Sequence, residues 1–295
     1  MRVRWCGVRG STPAPGAAFV EVGGSTSCVA VWATGAEDGP PTLVLDAGTG
    51  LQHLSAVLGD VPFRGTILLT HLHWDHTHGL PFFPNGDRDD ARVRLLLPDQ
   101  GEDAVRVLAR AMSPPHFPIG PDGLRGDWAV AGIGTGDHVV EGLLVTAFEV
   151  PHKGGRTFGY RIDDGIASLA YLPDHLPAAD GPDPVVVAHV RGVDAMVHDA
   201  QFTAAERDLA RRFGHATVDE AVALARAADV ERLVLFHHAP ARTDAEVAEV
   251  TAAARDVAAG HVEVDAAREG EELLLGRADP LRTGGRADGG HRLTR

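Results

Sequence analysis

The sequence predicts an α/β fold in which many short strands are followed by helices. Apolar runs of strand length, such as VRWCGV, SCVAVWA and GTILLTH, are bounded by glycine, proline or aspartate. Alanine-rich segments with apolar residues at helical spacing occur later, from Thr217 through Ala228 and over DAEVAEVTAAARDVA. The 35 glycines and 19 prolines supply the turns of a loop-rich fold.

Taken in order, the first half predicts strands at VRWCGV, SCVAVWA, PTLVLDAG and GTILLTH, with a short helix at LSAVLGD. VRLLLPD is a predicted strand and EDAVRVLARAM a predicted helix. Three more strands are expected at GLLVTAFEVPH, FGYRID and SLAYLPD. VVVAHVRGVDAMVHDAQF predicts a helix or strand and then a strand that ends at His198 and Asp199. ERLVLFHH is a predicted buried strand, and VEVDAAREGEELLL a final pair of strands.

A chain of 295 residues can bury a substantial core. We expect residues 1–275 to form one domain. From about Gly276 the segment GRADPLRTGGRADGGHRLTR loses all periodicity and becomes rich in glycine, arginine and aspartate. Such a composition buries little apolar surface, so we expect a disordered tail over residues 276–295.

Charge and composition exclude several classes of protein. The net charge of −14 argues against a broad basic face for nucleic acid, so structured RNA is a less favoured partner. No run reaches the roughly 18–20 apolar residues of a membrane span, and the N-terminus MRVRWCGVRG has no apolar signal segment. Cys6 and Cys28 lie in no metal-binding or redox spacing. Two reduced thiols fit a cytoplasmic protein.

The segment HLHWDH carries the most specific chemistry in the chain. His71, His73, Asp75 and His76 place three imidazoles and one carboxylate within six residues, directly after the apolar run ILLT. Where the chain leaves a strand, alternating positions face the same cleft. Imidazole nitrogen and carboxylate oxygen are ligands that suit zinc, manganese or iron. The segment therefore predicts a metal site.

HLHWDH resembles the HxHxDH motif of the metallo-β-lactamase superfamily, and the resemblance extends over about residues 3 to 275. It implies a four-layer αββα sandwich and a site for two divalent metal ions, with zinc favoured and manganese or iron as alternatives. His152 after VTAFEVP, Asp174 ending SLAYLPD and His237 in LVLFHH match the remaining ligands of the family. His238 is the alternative to His237 as the last ligand.

The resemblance implies two ligand sets that share one carboxylate. The first metal takes His71, His73, His152 and Asp174, and the second takes Asp75, His76, Asp174 and His237. A shared anion offsets the repulsion between two cations at roughly 3.5–4 Å.

Further positions match elements around the ligands. Asp46 in LVLDAGTG is expected to orient a ligand histidine, with a capping carboxylate as the alternative. Asp199 in HDAQF and His215 in GHAT resemble paired elements of the phosphodiesterase branch, which includes ribonuclease Z. Substrate phosphate is expected to meet Arg9, Lys153 and Arg156; an exposed hairpin tip is an equal explanation for the last two. The aromatic residues Trp74, Phe82 and Phe83 line the pocket or serve ordinary packing.

The branch resemblance suggests the substrate. The opening VRGSTPAPG and the segments GGSTSC, HWDHTHGLPFF and FHHAP look like cyclic-phosphate phosphodiesterases and ribonuclease Z. Ribonuclease Z relatives usually insert a tRNA-clamping arm between the third histidine and the bridging aspartate. Here one short hairpin separates His152 from Asp174, so we expect a small phosphodiester, a cyclic nucleotide or a sugar cyclic phosphate.

The expected reaction is attack by a metal-bridging hydroxide, since divalent metals lower the pKa of water to about 7. Asp75 would orient the nucleophile, and His215 would protonate the leaving oxygen or stabilise charge on it. Alternatives are tRNA 3′ processing through the same site, hydrolysis of an ester, lactone or thioester, and a metal-holding protein that has lost catalysis. The resemblance also implies a homodimer.

Overall fold

The computed structural model describes residues 1–276, in which fourteen strands form two seven-stranded sheets. Residues 277–295, nearly all of the expected disordered tail, lie outside the described residues. The first sheet contains β1 (Arg2–Gly7), β2 (Cys28–Trp32), β3 (Leu43–Leu45), β4 (Arg64–Leu68), β5 (Arg92–Pro98), β6 (Asp127–Ile133) and β14 (Glu272–Leu274). The second contains β7 (Gly136–Val140), β8 (Leu143–Val150), β9 (Thr157–Asp163), β10 (Ser168–Leu172), β11 (Ala195–Asp199), β12 (Arg232–Phe236) and β13 (Glu263–Ala266).

The two sheets have the same pattern of strand directions. The first runs in the order β14-β1-β2-β3-β4-β5-β6, antiparallel as far as β3 and parallel from β3 to β6. The second runs β7-β8-β9-β10-β11-β12-β13, antiparallel as far as β10 and parallel from β10 to β13. Apart from β14, each half of the chain therefore builds one mixed sheet whose parallel strands end at one edge.

Seven α-helices cover the sheets within the described part of the chain. They are α1 (Leu51–Leu58), α2 (Trp74–Thr77), α3 (Ala104–Ala109), α4 (Pro184–Val190), α5 (Arg207–Phe213), α6 (Val218–Ala227) and α7 (Asp244–Ala258). Asp103, Asp183 and Thr243 cap the helices that follow them, because each side chain accepts a hydrogen bond from an otherwise unpaired backbone N–H.

Alternation along the strands divides the core into layers. Val29 and Val31 of β2 face the other sheet, whereas Ala30 packs in an outer cluster with α1 and α3. In β11, Val197 faces the centre and Met196 packs against the second outer cluster, which includes residues of α4, α6 and α7. Two sheets thus share one core, and helices cover both outer faces. The predicted four-layer αββα sandwich is confirmed.

Two details of the sequence prediction differ from the structure. The segment VEVDAAREGEELLL does contain two strands, but β13 pairs with β12 and β14 pairs with β1 in the other sheet. The strands β6 and β7 and the helix α5 were not predicted. β6 is an edge strand with several exposed residues, so it lacks the apolar pattern that marks an inner strand.

The connection between His152 and Asp174 is short, as expected. β9 and β10 form one antiparallel hairpin there, and no arm extends from it. Across residues 1–276, every helix is either too short or too polar to cross a lipid bilayer. Cys6 and Cys28 are buried and unpaired.

Candidate metal centre

The candidate site lies at the edge where strands of both sheets end. His71 follows β4, and the segment from His73 to His76 enters the short helix α2. His152 follows β8, Asp174 follows β10 and His237 follows β12, each within two residues of the strand. Clefts outside the carboxyl ends of strands collect side chains from several loops. Residues far apart in sequence therefore converge on one point.

Three histidines form the first group. One ring nitrogen of each of His71, His73 and His152 lies within 4.8 Å of the others. His73 Nδ1 is 3.3 Å from His152 Nε2. His152 Nδ1 donates a hydrogen bond of 2.6 Å to the carbonyl of Gly214, so its Nε2 is left facing the group. Burial lowers the pKa of His71 and keeps its imidazole neutral, the form that binds metal.

The second group contains Asp75, His76 and His237, whose ligand atoms also lie within 4.8 Å of one another. Asp75 Oδ2 is 3.0 Å from His237 Nε2 and 3.4 Å from His76 Nε2. Burial alone would raise the pKa of Asp75, but the two imidazoles hold it well below its usual range. Asp75 is therefore a carboxylate at any physiological pH.

Asp174 lies between the two groups and contacts both. Its Oδ2 is 2.9 Å from His76 Nε2 and 3.3 Å from His237 Nε2. Its Oδ1 is 3.6 Å from His152 Nε2. The two carboxylate oxygens thus point to opposite groups, as a carboxylate shared by two cations would.

The buried polar atoms test whether metals fit. His71 Nε2, His76 Nε2 and Asp174 Oδ2 are buried and make no hydrogen bond. His76 Nε2 and Asp174 Oδ2 are close, yet they do not point at each other with hydrogen-bond geometry. Unsatisfied buried groups are costly, and converging lone pairs are what a cation requires. The donor set of imidazoles and carboxylates fits divalent metal ions.

Asp46 holds the histidines of the N-terminal half in place. Its carboxylate accepts hydrogen bonds from the Thr70 N–H (2.7 Å), the Thr70 hydroxyl (3.0 Å) and the Tyr171 hydroxyl (2.9 Å). His76 Nδ1 lies 2.8 Å from Asp46 Oδ2, and His71 Nδ1 lies 3.1 Å from Thr70 Oγ1. Both rings are anchored through Nδ1, so each presents Nε2 to the cluster.

His215 and Asp199 form a hydrogen-bonded pair at the same cleft. His215 Nδ1 is 2.9 Å from Asp199 Oδ2 and 3.4 Å from Asp174 Oδ1. Burial alone would lower the pKa of His215, but the carboxylates of Asp199, Asp174 and Asp75 together outweigh burial and raise it to about 9. Asp199 also accepts hydrogen bonds from the backbone N–H groups of Gln201 and Ala216, which fix its orientation.

The structure distinguishes the two neighbouring histidines after β12. His237 enters the cluster, whereas His238 turns inward and its Nε2 lies 3.1 Å from the carbonyl of Ala267. Burial lowers the pKa of His238 to about 3, so it is a neutral core residue.

Arg9 does not contact the cleft, contrary to the expectation that it meets substrate phosphate. It is fully buried. Its guanidinium donates to the carbonyls of Gly23 and Arg242 and lies 3.5 Å from Asp244, so it fastens loops together. A buried arginine with these partners has no reach to a substrate.

The remaining predicted residues divide between the cleft and its surroundings. Lys153 and Arg156 line a cavity of about 650 Å³ beside the cluster. Trp74 lines both this cavity and one of about 610 Å³ directly over the cluster. Phe82 and Phe83 line neither, and Phe83 is buried against Phe63 with a ring-centroid distance of 5.4 Å.

Sequence reasoning missed several residues that support the site. The Ser11 N–H donates a 2.6 Å hydrogen bond to Asp75 Oδ2. Any side chain at Gly10 would overlap His237, since a Cβ there would lie 2.3 Å from its Nδ1. Asp46 and His237 adopt positive φ angles of 58° and 56°, which are uncommon outside glycine and concentrate at functional sites. No local sequence signal marks such contacts between distant segments.

Comparison with known proteins agrees with the geometry. A family model described as beta-lactamase superfamily domain matches residues 42–238. A ribonuclease Z from Exiguobacterium sp. is 27% identical over 243 residues, covering 66% of this chain and 78% of the relative.

Two solved structures show the same fold. Zn(2+)-bound PqqB from Methylobacterium extorquens superposes with a TM-score of 0.68 at 19% identity, covering 93% of this chain and 100% of that one. A diphosphatase from the PhnP family gives 0.65 at 18% identity, covering 92% and 97%. The matched region, the two-sheet fold and the His/Asp cluster together establish that the chain belongs to the metallo-β-lactamase superfamily as a metal-dependent hydrolase.

Proposed function

We propose that this protein is a dinuclear-metal phosphodiesterase that hydrolyses a small phosphodiester, with a cyclic phosphate as the favoured substrate. The observation that carries the proposal is the position of the His215–Asp199 pair, 3.4 Å from Asp174 at a cleft that also receives both ligand groups. A metal cluster and a protonatable group at one cleft suit a reaction in which an alkoxide must leave.

Each metal would have three ligands of its own and would share Asp174 with the other metal. One ion would be held by His71, His73, His152 and Asp174, and the other by Asp75, His76, His237 and Asp174. The ions would supply positive charge that polarises the phosphoryl group and makes a nearby water more acidic. Zinc is the favoured metal because its usual donors are present, and manganese and iron accept the same set.

Asp75 is the residue placed to orient the attacking water. It lines the cavity over the cluster, and the Ser11 N–H fixes one of its oxygens from the side of β1. Its carboxylate is ionised and therefore accepts a hydrogen bond from water. Asp75 thus serves both as ligand and as orienting base.

His215 is the residue placed to protonate the leaving oxygen. Asp199 occupies its Nδ1, so Nε2 is the nitrogen left to meet a substrate in the cavity that His215 lines. The same hydrogen bond fixes the ring and stabilises its protonated form. A histidine held in this way donates a proton at neutral pH.

The cavity over the cluster has a volume of about 610 Å³, within the usual range for a small ligand. The relatives named ribonuclease Z and diphosphatase share phosphoryl chemistry, which favours phosphorus over a carboxyl ester. The short hairpin beside His152 favours a small molecule over a folded RNA.

Cleavage of precursor tRNA is the second candidate, favoured by the ribonuclease Z relatives. These relatives do not support the expectation that RNA is the less favoured substrate. The net charge of −14 and the absence of an arm from the β9–β10 hairpin still favour the small substrate.

The test is a substrate panel for the purified protein loaded with zinc or manganese. It contains 2′,3′- and 3′,5′-cyclic nucleotides, a linear phosphodiester, precursor tRNA, a lactone and a thioester. We expect turnover of at least one cyclic phosphate and weak or no cleavage of tRNA. Efficient tRNA cleavage without cyclic phosphate turnover would establish the second candidate, and turnover of only the carboxyl substrates would refute both.

A further inference from the structure

Trp74 has a position that the metal centre alone does not explain. It is the first residue of α2 and lies between two predicted ligands in sequence, His73 and Asp75. Its side chain is nonetheless 66% exposed. A large aromatic ring left in solvent at the edge of a cleft gains little from burial there, because most of its surface remains in water.

The indole is supported from one side only. Its ring stacks on the imidazole of His78, with centroids 5.4 Å apart and planes inclined by 19°. Trp74 lines both cavities, whereas His78 lines only the neighbouring one, so a part of the indole that His78 does not cover borders the cavity over the cluster. A third planar ring would extend the existing stack.

Trp74 also separates two spaces. The cavity of about 610 Å³ over the cluster and its neighbour of about 650 Å³ share Leu72 and Trp74. A group that stacks on the indole would therefore lie beside a phosphate held at the cluster, with room on either side. In a nucleotide, too, the base and the phosphate lie on either side of one sugar, so the two groups can occupy neighbouring spaces.

The charges around the neighbouring cavity argue against a second phosphate there. Arg156 is paired with Glu149 at 2.9 Å, and Arg110 with Glu102 at 2.6 Å. Each guanidinium therefore already has a carboxylate partner. Lys153 lines the same cavity, and its Nζ donates to the carbonyl of Arg212. A neutral planar group that can also form hydrogen bonds fits this surface better than an anion.

We propose that Trp74 is the platform on which the base of a nucleoside phosphodiester stacks, so that the substrate class is a nucleotide and not a sugar cyclic phosphate. The assignment rests on the proposed phosphodiesterase function. Stacking of a base on an aromatic side chain contributes roughly 5- to 150-fold in affinity and tolerates any base. The site would therefore select nucleotides while discriminating weakly among bases.

The kinetic test compares a substrate with a base and one without. For 2′,3′-cyclic AMP we expect Trp74→Ala to raise KM by about 5- to 150-fold and Trp74→Phe to raise it much less. For glycerol 1,2-cyclic phosphate we expect neither variant to change KM. Phe82→Ala is the matched control, because Phe82 is also exposed but lines neither cavity. It should leave both KM values unchanged.

Equal losses for both substrates in Trp74→Ala would overturn the assignment. So would an effect of Phe213→Ala larger than that of Trp74→Ala, since Phe213 is the other exposed ring of the cavity over the cluster.

A binding measurement separates this inference from the proposed function. AMP should quench tryptophan fluorescence of the wild-type protein and should do so far less in Trp74→Phe, whereas ribose 5-phosphate should quench neither. This result supports the base platform even if no phosphodiester is hydrolysed. Hydrolysis of phosphodiesters together with no AMP-dependent quenching refutes the platform and leaves the phosphodiesterase standing.

Discussion

The N-terminal and C-terminal halves of the molecule build matching sheets but supply the site in different ways. The first half places His71, His73, Asp75 and His76 within six residues after a single strand, β4. The second half supplies one residue at a time, with His152 after β8, Asp174 after β10 and His237 after β12. The first half thus contributes four predicted ligands from one short segment. The second half contributes three, each from the end of a different strand.

The support beneath the ligands differs in the same way. In the N-terminal half, Asp46 anchors His76 directly and His71 through Thr70. In the C-terminal half, His152 is anchored by the carbonyl of Gly214, and Asp199 holds the non-ligand His215. Both halves therefore supply predicted ligands, and the C-terminal half also holds the proposed proton donor.

The largest expected effect on turnover and metal content comes from Asp174, which contacts predicted ligands of both halves. Asp174→Ala should abolish turnover and remove both metals, because Asp174 contacts His76 and His237 with one oxygen and His152 with the other. Metal analysis and a phosphodiester assay measure the two effects, with circular dichroism as a check on folding. Normal metal content with full activity would show that the halves do not share this carboxylate.

The next prediction distinguishes the proposed proton donor, His215, from the predicted metal ligands. His215→Ala should lower turnover by about 10²- to 10⁴-fold while the metal content stays unchanged. His238→Ala is a control for loss of a buried imidazole, since His238 bonds to Ala267 and not to the cluster. Loss of metal in His215→Ala would make His215 a ligand, and unchanged turnover would remove it from the reaction.

A smaller effect, on metal affinity, is expected for Asp46, which anchors the predicted ligands of the N-terminal half. Asp46→Asn should weaken metal affinity by about 10- to 100-fold, because the amide holds His76 and Thr70 less well than the carboxylate does. Tyr171→Phe removes only one hydrogen bond to Asp46 and should weaken affinity less. Competition with a chelator measures both. Equal affinities in Asp46→Asn and the wild type would show that ring orientation does not depend on Asp46.

The smallest effect concerns a contact between the halves away from the site. Asp164 accepts hydrogen bonds from the Thr34 N–H and hydroxyl. Burial alone would raise the pKa of Asp164. The hydrogen bonds from Thr34 and from the backbone N–H groups of Ile166 and Ala167 outweigh burial and lower this pKa to about 2. Its folded pKa lies below the ordinary value near 3.9, so its stabilisation is present above that pH and is lost as pH falls toward about 2.

Asp164→Asn should therefore lower Tm by a few °C at pH 7, on the scale of about 1 kcal/mol, and the difference should shrink below pH 4. Asp163→Asn is the matched control, because the partners of Asp163, the Gly165 N–H and the Arg161 guanidinium at 3.9 Å, both belong to its own hairpin. A Tm difference that is constant from pH 7 to pH 2.5 would rule out the carboxylate as its source.

The comparison between halves also explains what the sequence could predict. The ligands of the first half are adjacent in sequence, so spacing alone identified His71, His73, Asp75 and His76 as a metal-binding segment. The positions of His152, Asp174 and His237 came from their order after strands and from the family resemblance. The structure brings all three to the cluster.

The parts that sequence reasoning missed depend on tertiary contacts. The Ser11 N–H reaches Asp75 across 64 residues, and the Tyr171 hydroxyl reaches Asp46 across 125. The sequence offers Arg9 as a cation for substrate phosphate, yet buried carbonyls bind its guanidinium. The sequence does not predict β6, because an exposed edge strand lacks the apolar pattern of an inner strand. Such features follow from the assembled fold and not from any local pattern.

The central claim is that the two halves meet around two divalent ions that share Asp174. Its most direct test is an anomalous-difference map from crystals of the zinc-loaded protein. We predict two peaks, one bounded by His71, His73 and His152 and the other by Asp75, His76 and His237, with Asp174 touching both. A folded, zinc-saturated protein with no peak at this cluster, or with one peak that Asp174 does not touch, would contradict the claim.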